Sequence, residues 1–227
     1  MANEDKFKLK KRTLQTKSYF NDNTTDTCKD LKVVNDVYIS SQVARWEGKN
    51  YMKREENFYV EIASCIKDLW HPQKDEKLSM LCLGARNNWE RDTFAKFITK
   101  KLKIKSGNLS VFSCDLGANK RYACDFTEDF NNPPKDWHNS WDIVYSNSID
   151  HAIDATETFY KWVDLIKKEK SLLIIGFDIN NQKPTKADVC VFTQSSLEKF
   201  FDKEKTVKVL KVQSIDLYVH YFLKRKN

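Results

Sequence analysis

"LSMLCLGARNNWERDTFAKF", residues 78–97, reads as an apolar strand that passes through one glycine into an amphipathic helix. The run from Leu78 to Leu83 is nearly continuous in apolar residues, the pattern of a strand covered on both faces, as in parallel sheets. In "ERDTFAKFITKKL" the residues Phe94, Phe97, Ile98 and Leu102 recur at helical spacing and form one stripe. The turn between strand and helix is poor in glycine: Gly84 is followed by Ala85, Arg86, Asn87 and Asn88. Nucleotide-binding turns in this place usually carry more than one. The stretch therefore leaves two readings open, a cofactor turn reduced to one glycine and an ordinary connection.

Working outward, the chain after residue 78 alternates strand and helix. "NLSVFSCD" reads as a second strand ending at Asp115, "RYACDF" as a short third, "WDIVYSNS" as a fourth and "SLLIIGFDI" as a fifth, the most apolar. "IDATETFYKWVDLIKK" offers Phe159, Trp162, Val163 and Ile166 to one helical face, and "SSLEKFF" reads as a helix start with a serine cap. "TVKVLKVQS" and "LYVHYFLKR" alternate and are joined near Ile215 and Asp216, which predicts an antiparallel hairpin. The expected fold is α/β: a doubly wound, seven-stranded, mostly parallel sheet with a C-terminal antiparallel hairpin. Ligands of such sheets bind at the carboxyl ends of the strands, so polar residues following strands are the candidates.

Upstream, Phe58, Tyr59, Ile62, Ile66 and Leu69 predict a helix just before the first strand, and "HPQKDEK" breaks it. The expected division is an N-terminal helical extension over residues 1–77, loop-rich over 1–36, and a ligand-binding domain over 78–227. The 227 residues suit one large α/β domain with an extension. A hydrophobic fraction of 41% with six tryptophans supplies a core and excludes wholesale disorder. No apolar run approaches the roughly 20 residues that cross a bilayer, and the start lacks the apolar stretch of a secretory signal. Six cysteines without CxxC spacing read as reduced, small apolar fillers, which points to a cytoplasmic protein. The net charge of +7 resides in residues 1–17 and in "KRK" at 224–226, leaving a neutral body. Such ends serve solubility or reach a polyanion.

The turn "LGAR" with Glu90, the acid Asp115 ending the second strand, the pair Asp125–Phe126, the segment "NSIDHA" and the terminal hairpin together resemble class I S-adenosylmethionine-dependent methyltransferases, over residues 78–225. The resemblance is to a subgroup with "LGAR…E" as its first motif and "NSIDHA" after strand four. It implies S-adenosylmethionine as cofactor, held by Gly84, Ala85, Arg86, Glu90, Asp115, Leu116, Asp125, Phe126, Ser146 and Asn147. In that frame Gly84 allows a sharp turn and close approach of the ligand. Arg86 pairs with the methionine carboxylate, or else serves the loop through Glu90. Asp115 accepts both ribose hydroxyls, with Leu116 against the adenine face. Asp125 accepts the adenine amino group with Phe126 beside the ring; the alternative is a turn aspartate and a core phenylalanine. Ser146 and Asn147 lie below the sulfonium.

Asp150 and His151 follow where such enzymes meet their acceptor, and they are the candidate catalytic residues. A hydroxyl acceptor needs a base, for which imidazole has a suitable intrinsic pKa; the alternative is a histidine that supports the loop. Asp150, His151 and Asp154 have a spacing that permits a metal without indicating one, and no metal is expected. "NNPPKDW" is similar to a base-methylase tetrapeptide, but it precedes strand four and has Lys135 in the aromatic place, so it reads as a rigid turn. Tyr38, Arg45 and Trp46 suit either a lid that binds the acceptor or the docking of the extension. The expected function is methyl transfer to a small-molecule or saccharide hydroxyl, away from membranes. The alternatives are RNA methylation through the basic termini and a cofactor- or partner-binding module without catalysis.

Overall fold

The computed structural model describes residues 56–73, 75–85, 88–105, 107–115, 124–179 and 190–226. Helix α1 (Glu56–Leu69) precedes β1 (Leu78–Leu83), α2 (Trp89–Leu102) and β2 (Leu109–Cys114). Then follow β3 (Ile143–Ser146), α3 (Ala155–Leu165), β4 (Leu172–Asp178), α4 (Gln194–Lys203), β5 (Val207–Ile215) and β6 (Tyr218–Arg225). Single 3₁₀ turns lie at Lys135–Trp137 and Ile149–His151.

The six strands stand in the order β2-β1-β3-β4-β6-β5. The first four are parallel; β6 runs antiparallel to β4, and β5 antiparallel to β6. From β1 the chain steps outward to β2 and then crosses back to β3, so strand order reverses between β1 and β3. The crevice beyond their carboxyl ends is the place where open α/β sheets take ligands.

The apolar runs go inside as their pattern requires. Met80, Cys82, Tyr145, Ile174 and Phe222 face one way and are covered by α1 and α2 through Tyr59, Ile62, Ile66, Phe94 and Ile98. Leu81, Leu83, Val144, Leu173, Ile175 and Phe177 face the other way, under Phe159 and Trp162 of α3 and Leu197 and Phe200 of α4. Each such side chain stabilises the fold by about 1.5–3 kcal/mol relative to exposure. The helix before β1 is thus an integral part of one helical layer.

Half of the expected third strand "RYACDF", residues 121–123, lies outside the described residues, and the described part makes one parallel bridge between Cys114 and Phe126. Beside that bridge Asp125 turns its carboxylate back onto β2, where Ser113 N–H donates to Oδ2 at 2.8 Å. One expectation needs correcting, that of the α4 cap. The cap of α4 is Thr193, whose hydroxyl accepts from Ser196 N–H at 3.1 Å while Ser196 Oγ reciprocates by accepting from Thr193 N–H at 3.0 Å. The hairpin turns where its sequence pattern says, with Asp216 at φ 56°.

Candidate active site at the β1–β3 switch point

The end of β1 is tied to the end of β3. Ser146 Oγ donates to the Leu83 carbonyl at 3.0 Å and accepts from Ser148 N–H at 3.2 Å. Ser148 Oγ donates to the Gly84 carbonyl at 3.3 Å. Gly84 adopts φ +66°, and a Cβ added there would lie 2.6 Å from both Ser148 Cβ and Ser148 Oγ. Glycine is required at this position, but the free space beside it belongs to Ser148.

On the other side, Ala85 N–H donates to the Cys114 carbonyl at 3.1 Å, so the turn runs beside the end of β2. The next residue, Asp115, is only 1% exposed, and its N–H donates to the Phe126 carbonyl at 3.2 Å. A nearly buried carboxylate closing a parallel strand is costly unless its oxygens are bonded. Gly84, Ala85, Asp115, Asp125 and Phe126 therefore share one rim. Glu90 is buried in the first turn of α2.

Asp125 is largely committed to the protein itself. Its Oδ1 accepts from Arg91 Nη1 at 2.7 Å, and its Oδ2 accepts from Ser113 Oγ at 3.0 Å as well as from Ser113 N–H. Ser113 Oγ also lies 2.6 Å from Asn88 Oδ1. Phe126 enters an aromatic cluster, with ring centroids 5.6 Å from Phe112 and 4.8 Å from Trp137. Its surroundings are those of a packing residue. Arg91, Ser113 and Asn88 carried no sequence signal of this network, because their partners are 12 to 34 residues away.

Beyond Ser148 the 3₁₀ turn carries Asp150 and His151. The imidazole Nε2 lies 3.9 Å from Asp150 Oδ1, and both side chains are largely buried. The Asp150 carbonyl accepts from Cys190 N–H at 3.0 Å, which stitches the returning chain to this turn. Asp154 caps α3 by accepting from Glu157 N–H at 2.9 Å. Among the described residues no group of three or more His, Cys, Asp or Glu is arranged to hold a metal. Arg86 and Leu116, and Tyr38, Arg45 and Trp46, lie outside the described residues.

Asn131 of "NNPP" works as a strut. Its Oδ1 accepts from Ile153 N–H at 2.9 Å, and its carbonyl accepts from Lys161 Nζ at 2.9 Å. That is the rigid-turn role. The basic group at 224–226 is partly tied down: Arg225 pairs with Asp164 at 3.0 Å, and Lys226 Nζ donates to the Glu204 carbonyl at 3.1 Å. Among the described residues no helix is long and apolar enough to cross a membrane.

No family model matches the chain, and no curated protein does. Solved structures do. The plantazolicin methyltransferase BpumL, in complex with a monoazolic desmethylPZN analog and SAH, superposes with a TM-score of 0.54 at 11% identity, over 86% of this chain and 99% of that one. The DszA carbon methyltransferase gives 0.53 at 12% identity, over 85% of this chain and 60% of that one. The chain has the fold of class I methyltransferases. At these identities the likeness is one of fold.

Proposed function

We propose that the chain is an S-adenosylmethionine-dependent methyltransferase acting on a hydroxyl of a small-molecule or saccharide acceptor. The observation that carries this is Asp115, a nearly buried carboxylate at the end of β2, beside the single-glycine turn at the switch point. The donor set fits the cofactor: a carboxylate on that rim is suited to two vicinal ribose hydroxyls. Bound there, S-adenosylmethionine supplies a methyl group on a positively charged sulfur, a leaving group that is already activated.

What the protein must then provide is position. Ser146 and Ser148 hold the Gly84–Ala85 turn against β3. Arg86 is proposed for the cofactor carboxylate and Leu116 for the adenine face, with Glu90 supporting the loop. Asp125, with Phe126 beside it, keeps a lone pair on an oxygen already bonded to Arg91, and this can still accept an adenine amine. Asn147 stands next to the reacting end. His151, with Asp150 beside it, is the proposed base for the acceptor hydroxyl. Of the expected extension 1–77, the part before α1, with Tyr38, Arg45 and Trp46, is proposed to cap the site, while α1 belongs to the helical layer on the sheet. A cytoplasmic location accompanies this reading.

Calorimetry with S-adenosylmethionine and S-adenosylhomocysteine tests it. Micromolar binding of both is expected, about 8 kcal/mol of binding free energy. Absence of heat and of any thermal shift with either ligand would remove the enzyme and leave a module that has kept only the fold. Loss of binding to a random-sequence RNA on trimming residues 1–17 would favour RNA as the acceptor instead.

A further inference from the structure

The residues that follow Gly84 reach the end of β2 twice. Asn88, the last residue before α2, places Oδ1 2.6 Å from Ser113 Oγ. Arg91, in the first turn of α2, donates from Nη1 to Asp125 Oδ1 at 2.7 Å. Ser113 closes the circuit from the β2 side: its N–H donates to Asp125 Oδ2 at 2.8 Å, and its Oγ accepts from Asp125 N–H at 3.1 Å. The carboxylate of Asp125 is thus held at both oxygens, by β2 at one and by α2 at the other.

The two holds differ in what they fix. Bonds at one oxygen let a carboxylate swing, because the terminal torsion of aspartate is broad. A bond at the other oxygen sets its plane. Arg91 is itself held for this: its Nε donates to Asp92 Oδ1 at 2.8 Å, and its Nη2 lies 2.8 Å from the same oxygen. The guanidinium plane is therefore set independently of Asp125. As side chains Arg91 and Asp125 are 25% and 26% exposed, against 64% for Asp92. Asp92 is a solvated prop, and the contact least screened by water is the one between Arg91 and Asp125.

A carboxylate oxygen has more than one acceptor direction. Among the described residues Asp125 Oδ1 accepts only from Arg91, so it keeps a lone pair on the rim shared with Gly84 and Asp115. A carboxylate fixed there accepts an amine and repels a carbonyl oxygen. It distinguishes a 6-aminopurine from a 6-oxopurine, as sharply as its own orientation is defined. Resting on the methyltransferase reading, we propose that Arg91 is a positioning residue. It holds Asp125 in the orientation that selects an adenine nucleoside over its 6-oxo counterpart, and so couples the turn after Gly84 to the purine end of the site.

The test compares S-adenosylhomocysteine with S-inosylhomocysteine, its 6-oxo analogue, by calorimetry on the full chain. The wild type should prefer the first by about 10- to 100-fold, the worth of a hydrogen bond to a charged acceptor. In Arg91→Gln, which removes the charge and keeps a good helix former, the preference should fall by about tenfold. Arg91→Lys restores a cation that cannot hold Asp92 and Asp125 together, so its preference should lie between the two. An arginine that only supports the fold would weaken both ligands alike and leave their ratio unmoved. An unchanged ratio in Arg91→Gln therefore overturns the inference, as does a wild type that takes both ligands equally; in either case the methyltransferase reading stands. If the wild type binds neither ligand, both fall. Should Arg91→Gln fail to fold, Arg91→Lys decides by the same ratio, a reduced value supporting the inference and an unchanged one overturning it.

Discussion

Ser148 occupies the space that a side chain on Gly84 would need: its Cβ and Oγ both lie 2.6 Å from an ideal Cβ at that position. Gly84→Ala meets two penalties, the left-handed φ of +66° and this overlap. Together they should cost about 2–4 kcal/mol, read as a lowered urea midpoint. In the double variant Gly84→Ala/Ser148→Gly the steric part should return and the backbone part persist. Strictly additive losses would show that the two residues do not meet as described.

Asp115 and Asp125 stand on one rim, but their surroundings separate them. Asp125→Asn breaks the charge-assisted contact with Arg91 and weakens the clamp on Ser113, so unfolding free energy should fall by about 1–3 kcal/mol. Asp115→Asn should instead lower affinity for S-adenosylhomocysteine by about 10- to 100-fold in calorimetry, the loss of hydrogen bonds to a charged acceptor. An Asp115→Asn protein that binds as well as wild type would remove the ribose assignment.

Burial pushes the thiols of Cys124 and Cys190 up to about 12, helped by the negative charges of Asp115 near the first and Asp150 near the second. Both should stay protonated at pH 8 and resist iodoacetamide in the folded chain, then react fully in urea, as peptide mass spectrometry would report. Their folded pKa lies above the unfolded one. The stability they contribute is therefore complete below the ordinary thiol pKa and is lost as pH rises toward 12.

Glu204 shows the opposite sign. Burial acts to raise its carboxyl, but bonds from the Thr206 hydroxyl at 2.6 Å and the Tyr160 hydroxyl at 2.7 Å, with the Thr206 N–H, outweigh it and hold the group below its ordinary value. Its contribution is present above the unfolded carboxylate pKa and disappears as pH falls through the depressed folded value. Thr206→Val should cost about 1 kcal/mol at pH 7. The gap to wild type should narrow in acid, followed by denaturant unfolding at stepped pH.

Most of the fold was legible because its signal is periodic and local. Phe58, Tyr59, Ile62 and Ile66 announce α1, and the apolar runs of β1 and β4 announce strands covered on both faces. The site was legible as a rim, since Gly84 and Asp115 end neighbouring strands in register. The pairings that decide what each residue does were hidden. Ser148 meets Gly84 across 64 positions and Arg91 meets Asp125 across 34, distances over which no pattern in the chain speaks. His220 looked like one more member of an alternating strand. Its distinction comes from the glycine that β4 places opposite it.

The sheet order has a temporal side. β6 lies between β4 and β5 and is the last of the six strands along the chain. A ribosome-bound chain that has emerged only through β5 holds two strands with no shared neighbour, and the most apolar of them, β4, keeps an open flank of unpaired peptide groups. Such flanks invite pairing with other nascent chains. Completion of the layer, and with it the placement of His220 over Gly176, waits on the emergence of eight more strand residues, Tyr218–Arg225.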